Sequence, residues 1–226
     1  MSASVDPQYL LEGAVFALEQ SGVLLRDAAL LYRSGSHASG VALAAFAREE
    51  LGRWKILLSL RGNVFNGETL TIDDIKARCE DHVTKQRAGM LSLTMRADQD
   101  TRAGQLIMSR IMSSPGSEEW AKTDAAIAQI DRSKKKRVPH DRHEQRESAL
   151  YVDPISPDRW NRPSAAISRE FARQFIEDAR NDYAIQCLNR YNDFAVLRDV
   201  DAELCKALEG WSDRPTLPLP EGPLPF

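Results

Sequence analysis

The sequence predicts an all-α protein built as a bundle of four or five long helices. Aromatic residues make up only 7% of the 226 residues, whereas Ala, Leu, Glu and Arg, which favour helices, are plentiful. Apolar residues recur with the helical period over long stretches, and the alternation typical of strands never runs beyond a few residues. We therefore expect a single helical domain over residues 1–211 and a Pro-rich, mobile tail over residues 212–226.

An antiparallel pair of long helices is predicted at the start of the chain. The first helix covers residues 10–32, and Asp6 followed by Pro7 is typical of an N-cap and a first helical position. A short Ser-Gly-Ser segment separates it from a second helix over residues 37–60. Helices joined by so short a connection are usually antiparallel neighbours. Gly52 in the second helix would let another helix approach closely.

A third helix is predicted after a loop. Thr71 followed by Asp74 resembles a capping box, which marks a helix start. The helical pattern then extends to about residue 112, with a break expected near Gly89 or Gly104.

The second half of the chain is predicted to hold a shorter and a longer helix. Ser117 can cap a helix that runs to about Ile130. Pro139 is expected to interrupt any helix beyond that point, because proline lacks the backbone N–H. Ser164 can cap a long final helix that reaches about Leu208.

The composition argues against several classes of protein. A net charge of −3 gives the whole molecule no general affinity for polyanions. The three cysteines lie far apart without CxxC spacing, so we expect a reducing compartment and neither a disulfide framework nor a zinc site. The first residues lack the basic region of a leader, and no apolar run approaches about 18 residues. We therefore predict a cytoplasmic protein with no membrane partner.

Two adjacent glutamates in the second helix form the first candidate site. At the helical period, Glu50 falls within an apolar stripe that includes Phe46 and Trp54. A buried carboxylate is costly unless a cation or several donors meet it, so another helix should supply a partner. Glu50 could be half of a structural salt bridge or could orient a catalytic group. Glu49 is expected to be solvated.

The segment EDHVTK, residues 80–85, forms the second candidate site. On a helix His82 and Lys85 share a face, and Asp81 can pair with Lys85. An imidazole beside an ammonium suits acid–base chemistry on a phosphodiester, in which the His moves a proton and the Lys stabilises an oxyanion. The alternative is an ordinary charged helix surface.

Residues 132–146 form a basic segment, with seven Lys or Arg against two acids and therefore a net charge of +5. Cations in such a segment can bind nucleic acid by neutralising phosphates. The candidates are Lys134, Lys135, Lys136, Arg142 and Arg146, followed by Tyr151. Tyr151 could offer its hydroxyl to a phosphate or simply pack. A solvated, highly charged loop is the alternative for the whole segment.

The sequence lacks the common metal and cofactor motifs. His140 and His143 are close enough to be considered as metal ligands, but neither ExxH nor HExxH occurs in the chain. The nucleotide-binding patterns GxxxxGK[ST] and GxGxxG and the nucleophile motif GxSxG do not occur either. We therefore expect no metal and no other cofactor.

Several stretches resemble the AbiV-like branch of the HEPN superfamily. AREELGRWK at residues 47–55 and SALYVD at 148–153 are the more specific pieces, and DHVTK at 81–85 lies between them. The similarity covers most of residues 10–195. It implies an all-α HEPN bundle, usually dimeric, in bacterial abortive infection against phage, associated with arrest of translation. RNA or the translation apparatus would be the target, and a phage protein could be the trigger.

The same resemblance implies a chemistry, because many HEPN proteins are metal-independent ribonucleases. Their motif is an Arg, four to six residues, and a His, and in this chain Arg137 and His143 are the pair that fits. The resemblance implies that the His transfers protons, that the Arg steadies the charged transition state, and that the RNA 2′-hydroxyl is the nucleophile. Two positions depart from the pattern, since Val138 stands where a polar residue is usual and Pro139 lies inside the motif.

A second possible arrangement of the catalytic residues does not use the Arg137–His143 pair. Glu50 could meet Lys85 or Arg146 inside the bundle, with His82 and Tyr151 nearby. One sequence does not reveal which helices face each other, so both assemblies stay open at this point.

Two functions from different classes are therefore considered. The first is a metal-independent ribonuclease in anti-phage defence, with the candidate catalytic residues His82, Lys85, Arg137, His143 and Glu50. The second is a non-catalytic interaction module that binds a ribosomal, RNA or phage protein partner through residues 132–146. Loss of a single His should abolish RNA cleavage by a ribonuclease. Partner binding by an interaction module should instead depend strongly on salt and on the cations of the basic segment.

Overall fold

Two long antiparallel helices form the framework of the protein in its computed structural model, which describes residues 4–89, 102–157, 159–188 and 194–207. Helix α1 spans Pro7–Arg33 and helix α2 spans His37–Phe65. The Ser21 hydroxyl donates a 2.7 Å hydrogen bond to the Ala47 carbonyl oxygen. Towards the connection, Gly40 lies against the Ala28 carbonyl. The predicted antiparallel pair is confirmed.

The ends of α1 follow the predicted chemistry. The Asp6 carboxylate accepts a 2.7 Å hydrogen bond from the Gln8 N–H, and Pro7 occupies the first turn. At the other end Gly35 adopts a φ of 84°, which favours glycine. The Ser36 N–H then reaches back to the Leu31 carbonyl at 2.9 Å, which satisfies a terminal acceptor as in a Schellman motif.

The stretch predicted as a third helix, from Thr71 to about residue 112, holds three shorter helices among its described residues. Helix α3 spans Ile72–Glu80 and begins with the predicted capping box of Thr71 and Asp74. Helix α4 spans His82–Gly89. The break lies at Asp81, whose extended backbone ends α3 and whose carboxylate accepts a 2.6 Å hydrogen bond from the Thr84 N–H. This cap places His82 at the first position of a new helix.

Helix α5 spans Arg102–Met112, so of the two positions expected for a break, Gly89 coincides with the end of α4, whereas Gly104 lies inside α5. Helix α6 spans Glu118–Leu150 and is capped by Ser117, as predicted. The expected end near Ile130 is wrong, because α6 continues through Pro139. A proline inside a helix costs about 3 kcal/mol, and here its ring is fully buried, so packing of the apolar ring offsets part of that cost.

The remainder of the chain closes the bundle. Strands β1, Pro154–Ser156, and β2, Arg159–Trp160, form a small antiparallel hairpin. They are followed by α7, Pro163–Ala166, α8, Arg169–Leu188, and α9, Phe194–Ala207.

The single final helix expected from Ser164 to Leu208 is wrong. Pro163 occupies the first turn of α7, and the hydroxyl that accepts a hydrogen bond at the start of α8 belongs to Ser168, 3.1 Å from the Phe171 N–H.

Helix α2 lies at the centre of the bundle and contacts α1, α4, α6 and α8. Its closest crossing is with α4, where a Cβ atom on Gly52 would lie 1.9 Å from the Lys85 carbonyl oxygen. Only glycine permits this approach. From the sequence, Gly52 was expected to let another helix approach closely. The crossing brings the side chains around Glu49 directly against α4.

The all-α fold class is confirmed. Within the described ranges, no helix combines the length and apolar composition that crossing a membrane requires. The predicted tail over residues 212–226 lies outside the described residues.

Candidate functional site

A cluster of ionisable side chains lies where α2, α4 and α6 meet. We call it the imidazole cluster, and its members are Glu49, His82, Lys85, His143 and Arg146. The carboxylate of Glu49 is buried, with 3% of the side chain exposed, whereas 43% of His82 and 26% of His143 are exposed. Two imidazoles therefore face solvent above a buried carboxylate.

The shortest contact of the cluster joins Glu49 and His82. Nδ1 of His82 lies 2.6 Å from Oε2 of Glu49. Nη1 of Arg146 lies 3.4 Å from the same nitrogen. A carboxylate only accepts hydrogen bonds and a guanidinium only donates them, so the shorter contact assigns the proton to Nδ1. In the neutral ring this leaves a lone pair on Nε2, which has no hydrogen-bond partner among the described residues.

Two cations balance the Glu49 carboxylate. Lys85 Nζ lies 3.5 Å from Oε2, and Arg146 Nη1 lies 3.7 Å from Oε1. Both side chains are buried, and the guanidinium lies over the ring of Phe46 at 5.6 Å. The two cations therefore supply the opposite charges that a buried carboxylate requires.

His143 completes the cluster from α6. Its ring stacks on that of His82, with 5.8 Å between the centroids and 19° between the planes. Nδ1 lies 3.3 Å from Arg146 Nη2, and Nε2 lies 3.3 Å from a Glu147 carboxylate oxygen. The guanidinium can only donate to Nδ1, so these partners favour the neutral tautomer with the proton on Nε2. The side chain thus presents an N–H donor near solvent.

The cluster brings together several of the predicted residues. The structure places His82, Lys85 and Arg146 around the carboxylate of Glu49, and His143 joins them from the basic segment. Lys85 faces Glu49, so its stabilisation of an oxyanion stays a prediction.

The glutamate in the cluster is Glu49, so the expectation that Glu50 meets Lys85 or Arg146 is wrong. Glu50 is half-buried beside Arg53, with 3.3 Å between Oε1 and Nη2. Glu49, which was expected to be solvated, is buried. The reason is that α2 is buried on nearly every side, so its apolar stripe does not identify a single inner face. The available signal was Gly52, one turn after Glu49, which marks the face where α4 approaches.

Burial raises the pKa of Glu50, and the nearby Arg53 and Lys85 lower it by less. A carboxyl whose pKa is higher in the folded state destabilises the fold when it is ionised. We therefore expect Glu50→Gln to stabilise the protein at neutral pH by about 0.5 kcal/mol. The advantage should shrink as the pH falls through the raised pKa and vanish below the unfolded value. Urea unfolding at neutral and acidic pH measures it, and a loss of stability at neutral pH would contradict the burial argument.

Arg142 belongs to a second, buried network. Its Nη2 atom lies 3.7 Å from Asp182 Oδ2, and Nε of Arg48 donates to the same carboxylate oxygen at 3.0 Å. All three side chains are buried. The prediction that Arg142 binds nucleic acid at the surface is therefore wrong, because its guanidinium joins α6 to α2 and α8.

Among the other cations of the basic segment, the structure describes the side chain of Arg146 but not those of residues 134–137. Arg146 is buried in the imidazole cluster, which contradicts its expected role as a surface phosphate contact. The side chains of Lys134, Lys135, Lys136 and Arg137 lie outside the described part of the structure. Their roles, including the Arg137–His143 pair, stay predictions. Tyr151 is exposed at the C-terminal end of α6, and its contact with a phosphate also stays a prediction.

No group of three or more His, Cys, Asp or Glu that could hold a metal ion occurs among the described positions. In comparisons with known proteins, the family model HEPN_AbiV, described as AbiV, matches residues 9–184. No curated protein and no solved structure matches the chain.

Proposed function

The protein belongs to the AbiV family of HEPN proteins, and we propose that it is a metal-independent endoribonuclease acting in abortive infection against phage. The observation that supports this function best is the 2.6 Å contact between Glu49 and the Nδ1 atom of His82. A buried carboxylate at this distance fixes the orientation and tautomer of the imidazole. The partly exposed ring then offers Nε2 to a substrate as a base.

The proposed reaction is the cyclising cleavage of an RNA phosphodiester. His82 Nε2 takes the proton of the 2′-hydroxyl, and the 2′-oxygen forms a bond to phosphorus. The bond between phosphorus and the 5′-oxygen breaks, and the leaving oxygen receives the proton from the His82 imidazolium directly or through water. The products are a 2′,3′-cyclic phosphate and a 5′-hydroxyl, so each proton and bond is accounted for.

The other members of the cluster support this reaction electrostatically. Lys85 and Arg146 carry two positive charges against the carboxylates of Glu49 and Glu147, which gives zero net charge with neutral imidazoles. Protonation of His82 during the reaction adds one positive charge to the cluster. This charge would stabilise the anionic phosphorane. The Nε2–H group of His143, which faces Glu147, can instead donate to a non-bridging phosphate oxygen.

The proposed partners follow from this chemistry and from the family. The substrate is RNA, free or within the translation apparatus, in the bacterial cytoplasm, and a phage protein is the proposed trigger. The chemistry requires no metal or other cofactor.

The test combines purified protein with infected cells, because infection supplies any trigger. Bacterial RNA incubated with the protein in EDTA should yield fragments with 2′,3′-cyclic phosphate and 5′-hydroxyl ends. The same ends should appear in RNA from infected cells that express the protein and not in cells with an empty vector. A synthetic RNA with a 2′-deoxy sugar at the cleavage position should stay intact.

Three outcomes would contradict the ribonuclease proposal. They are the absence of these ends in infected cells, cleavage that requires a divalent metal, and cleavage of the 2′-deoxy substrate. Salt-sensitive RNA binding without cleavage would instead favour the interaction module on residues 132–146.

A further inference from the structure

A cavity of about 680 Å³ opens between α1, α2 and α3, and we call it the α3 cavity. Much of its wall is apolar, with the buried Leu10 and Leu57 and the half-buried Ile75. Tyr9 and Phe16 also line it, and these side chains are 54% and 64% exposed. The volume lies within the range of about 300–1,000 Å³ that small-molecule sites occupy.

Gly13 leaves space in the α3 cavity on the side of α1. Glycine inside a helix is destabilising relative to alanine, so close packing is the usual reason for it, as at Gly52. At Gly13 a Cβ atom would lie 3.5 Å from Leu57 Cδ1, which is an ordinary van der Waals distance. The described neighbours of Gly13 therefore do not require glycine, and the missing side chain enlarges the cavity.

Arg53 supplies a cation to the wall of the cavity. Its Nη2 atom lies 3.3 Å from Glu50 Oε1, and 39% of the side chain is exposed. Its Nε atom is buried and has no hydrogen-bond partner among the described residues. A guanidinium carries five N–H donors, so the pair with Glu50 leaves donors for an acceptor in the cavity.

The other ionisable groups that line the cavity limit the charge of a ligand. Glu12 and Glu80 are exposed, and Lys76, which is 74% exposed, pairs with Asp73 at 3.8 Å. The two carboxylates repel a dianion, such as a phosphate monoester, more strongly than they repel a single carboxylate. A cationic ligand would gain nothing from the donors of Arg53. The charges of the wall therefore favour a monoanion.

We propose that the α3 cavity binds an apolar molecule with a single carboxylate, of the fatty-acid type. Its hydrocarbon part leaves water and packs against Leu10, Leu57 and Ile75. Its carboxylate accepts hydrogen bonds from Arg53, and such charge-assisted bonds are among the strong ones. The proposal concerns binding alone, so it can be tested whether or not the protein cleaves RNA.

The test is a titration of decanoate into the full-length protein by isothermal calorimetry, below the concentration at which decanoate forms micelles. We expect saturable binding at one site per chain. Decanol, which has the same chain length and no charge, should bind at least about tenfold more weakly, because it lacks the charge-assisted hydrogen bonds.

Two substitutions in the wall separate the contributions of space and charge. Gly13→Leu should abolish binding, because the new side chain occupies the cavity. Arg53→Gln should lower the affinity for decanoate about tenfold and leave that for decanol unchanged. Gly62→Leu is the control for the first, because a Cβ atom there meets no atom within 4 Å. Arg61→Gln is the control for the second, since Arg61 lies over Phe65 in the same helix.

Alkylation of Cys79 by N-ethylmaleimide shows whether decanoate binds in this cavity. Cys79 lines the cavity, whereas Cys205 is exposed in α9. Decanoate at ten times its Kd fills about 90% of the sites, so it should slow alkylation of Cys79 about tenfold. The rate at Cys205 should stay unchanged. Mass spectrometry of the labelled peptides measures both rates in the wild-type protein, so this readout does not depend on the folding of a variant.

Four outcomes would overturn the proposed site. They are no binding of decanoate, equal affinities for decanoate and decanol, undiminished binding to a folded Gly13→Leu variant, and alkylation of Cys79 that decanoate does not slow.

Discussion

Replacement of His82 by Ala is expected to lower the rate of RNA cleavage by about 10²–10⁴-fold, the usual contribution of a positioned acid–base group. Nδ1 of His82 contacts the buried Glu49, and its ring is exposed enough to reach a substrate. The variant should fold, because Glu49 keeps its contacts with Lys85 and Arg146. The rate is measured in EDTA on a synthetic RNA cut by the wild-type protein.

His37→Ala is the matched control for this experiment. His37 begins α2 and contacts the ring of Tyr32. It lies twelve residues from Glu49, or about 18 Å along the helix, and it should leave cleavage unchanged. Binding of a 2′-deoxy RNA separates the two roles of His82, since a proton-transfer role predicts a large loss of rate with unchanged binding. Equal losses in rate and binding would show that the ring holds the substrate without transferring a proton.

Replacement of Glu49 by Ala is expected to cost about 3–5 kcal/mol of folding free energy, the range seen when one partner of a buried ion pair is removed. The substitution leaves Lys85 and Arg146 buried without the carboxylate that balances them. It also removes the hydrogen bond that orients His82. The loss is measured as a shift of the urea midpoint at neutral pH.

Glu50→Ala is the control, because it removes the adjacent glutamate of the same helix. Glu50 is less buried, with 17% of its side chain exposed, and its partner Arg53 is 39% exposed. Its removal should therefore cost far less than the removal of Glu49. Similar losses for the two variants would contradict the assignment of Glu49 as the buried charge. Glu49→Gln adds a second comparison, since it keeps the side-chain size and removes only the charge.

Much of the local structure could be read from neighbouring residues. The cap at Asp6, the capping box at Thr71 and the cap at Ser117 all depend on side chains that bond backbone groups a few residues away. Such interactions are local, so the sequence contains both partners within one helical turn. The antiparallel pairing of α1 and α2 follows from their short connection in the same way.

Long-range packing explains where the local interpretation was wrong. Pro139 was expected to end a helix, but α6 continues through it, and burial of the ring within the bundle offsets part of the local cost. Arg142 was expected at the surface, but Asp182, which is forty positions further along the chain, holds it inside the bundle.

The candidate site shows most clearly the difference between what local sequence predicts and what long-range packing decides. By itself the sequence determined the helical fold, the family resemblance and the presence of reactive side chains in α4 and α6. Only the tertiary structure decided that Glu49 is the buried carboxylate and that His82 and His143 stack on each other. The contacts of His82 with Glu49 and with Arg146 join residues that are 33 and 64 positions apart. The physical reason is that α2 is buried on nearly every side, so only the crossing at Gly52 determines which of its side chains meets α4.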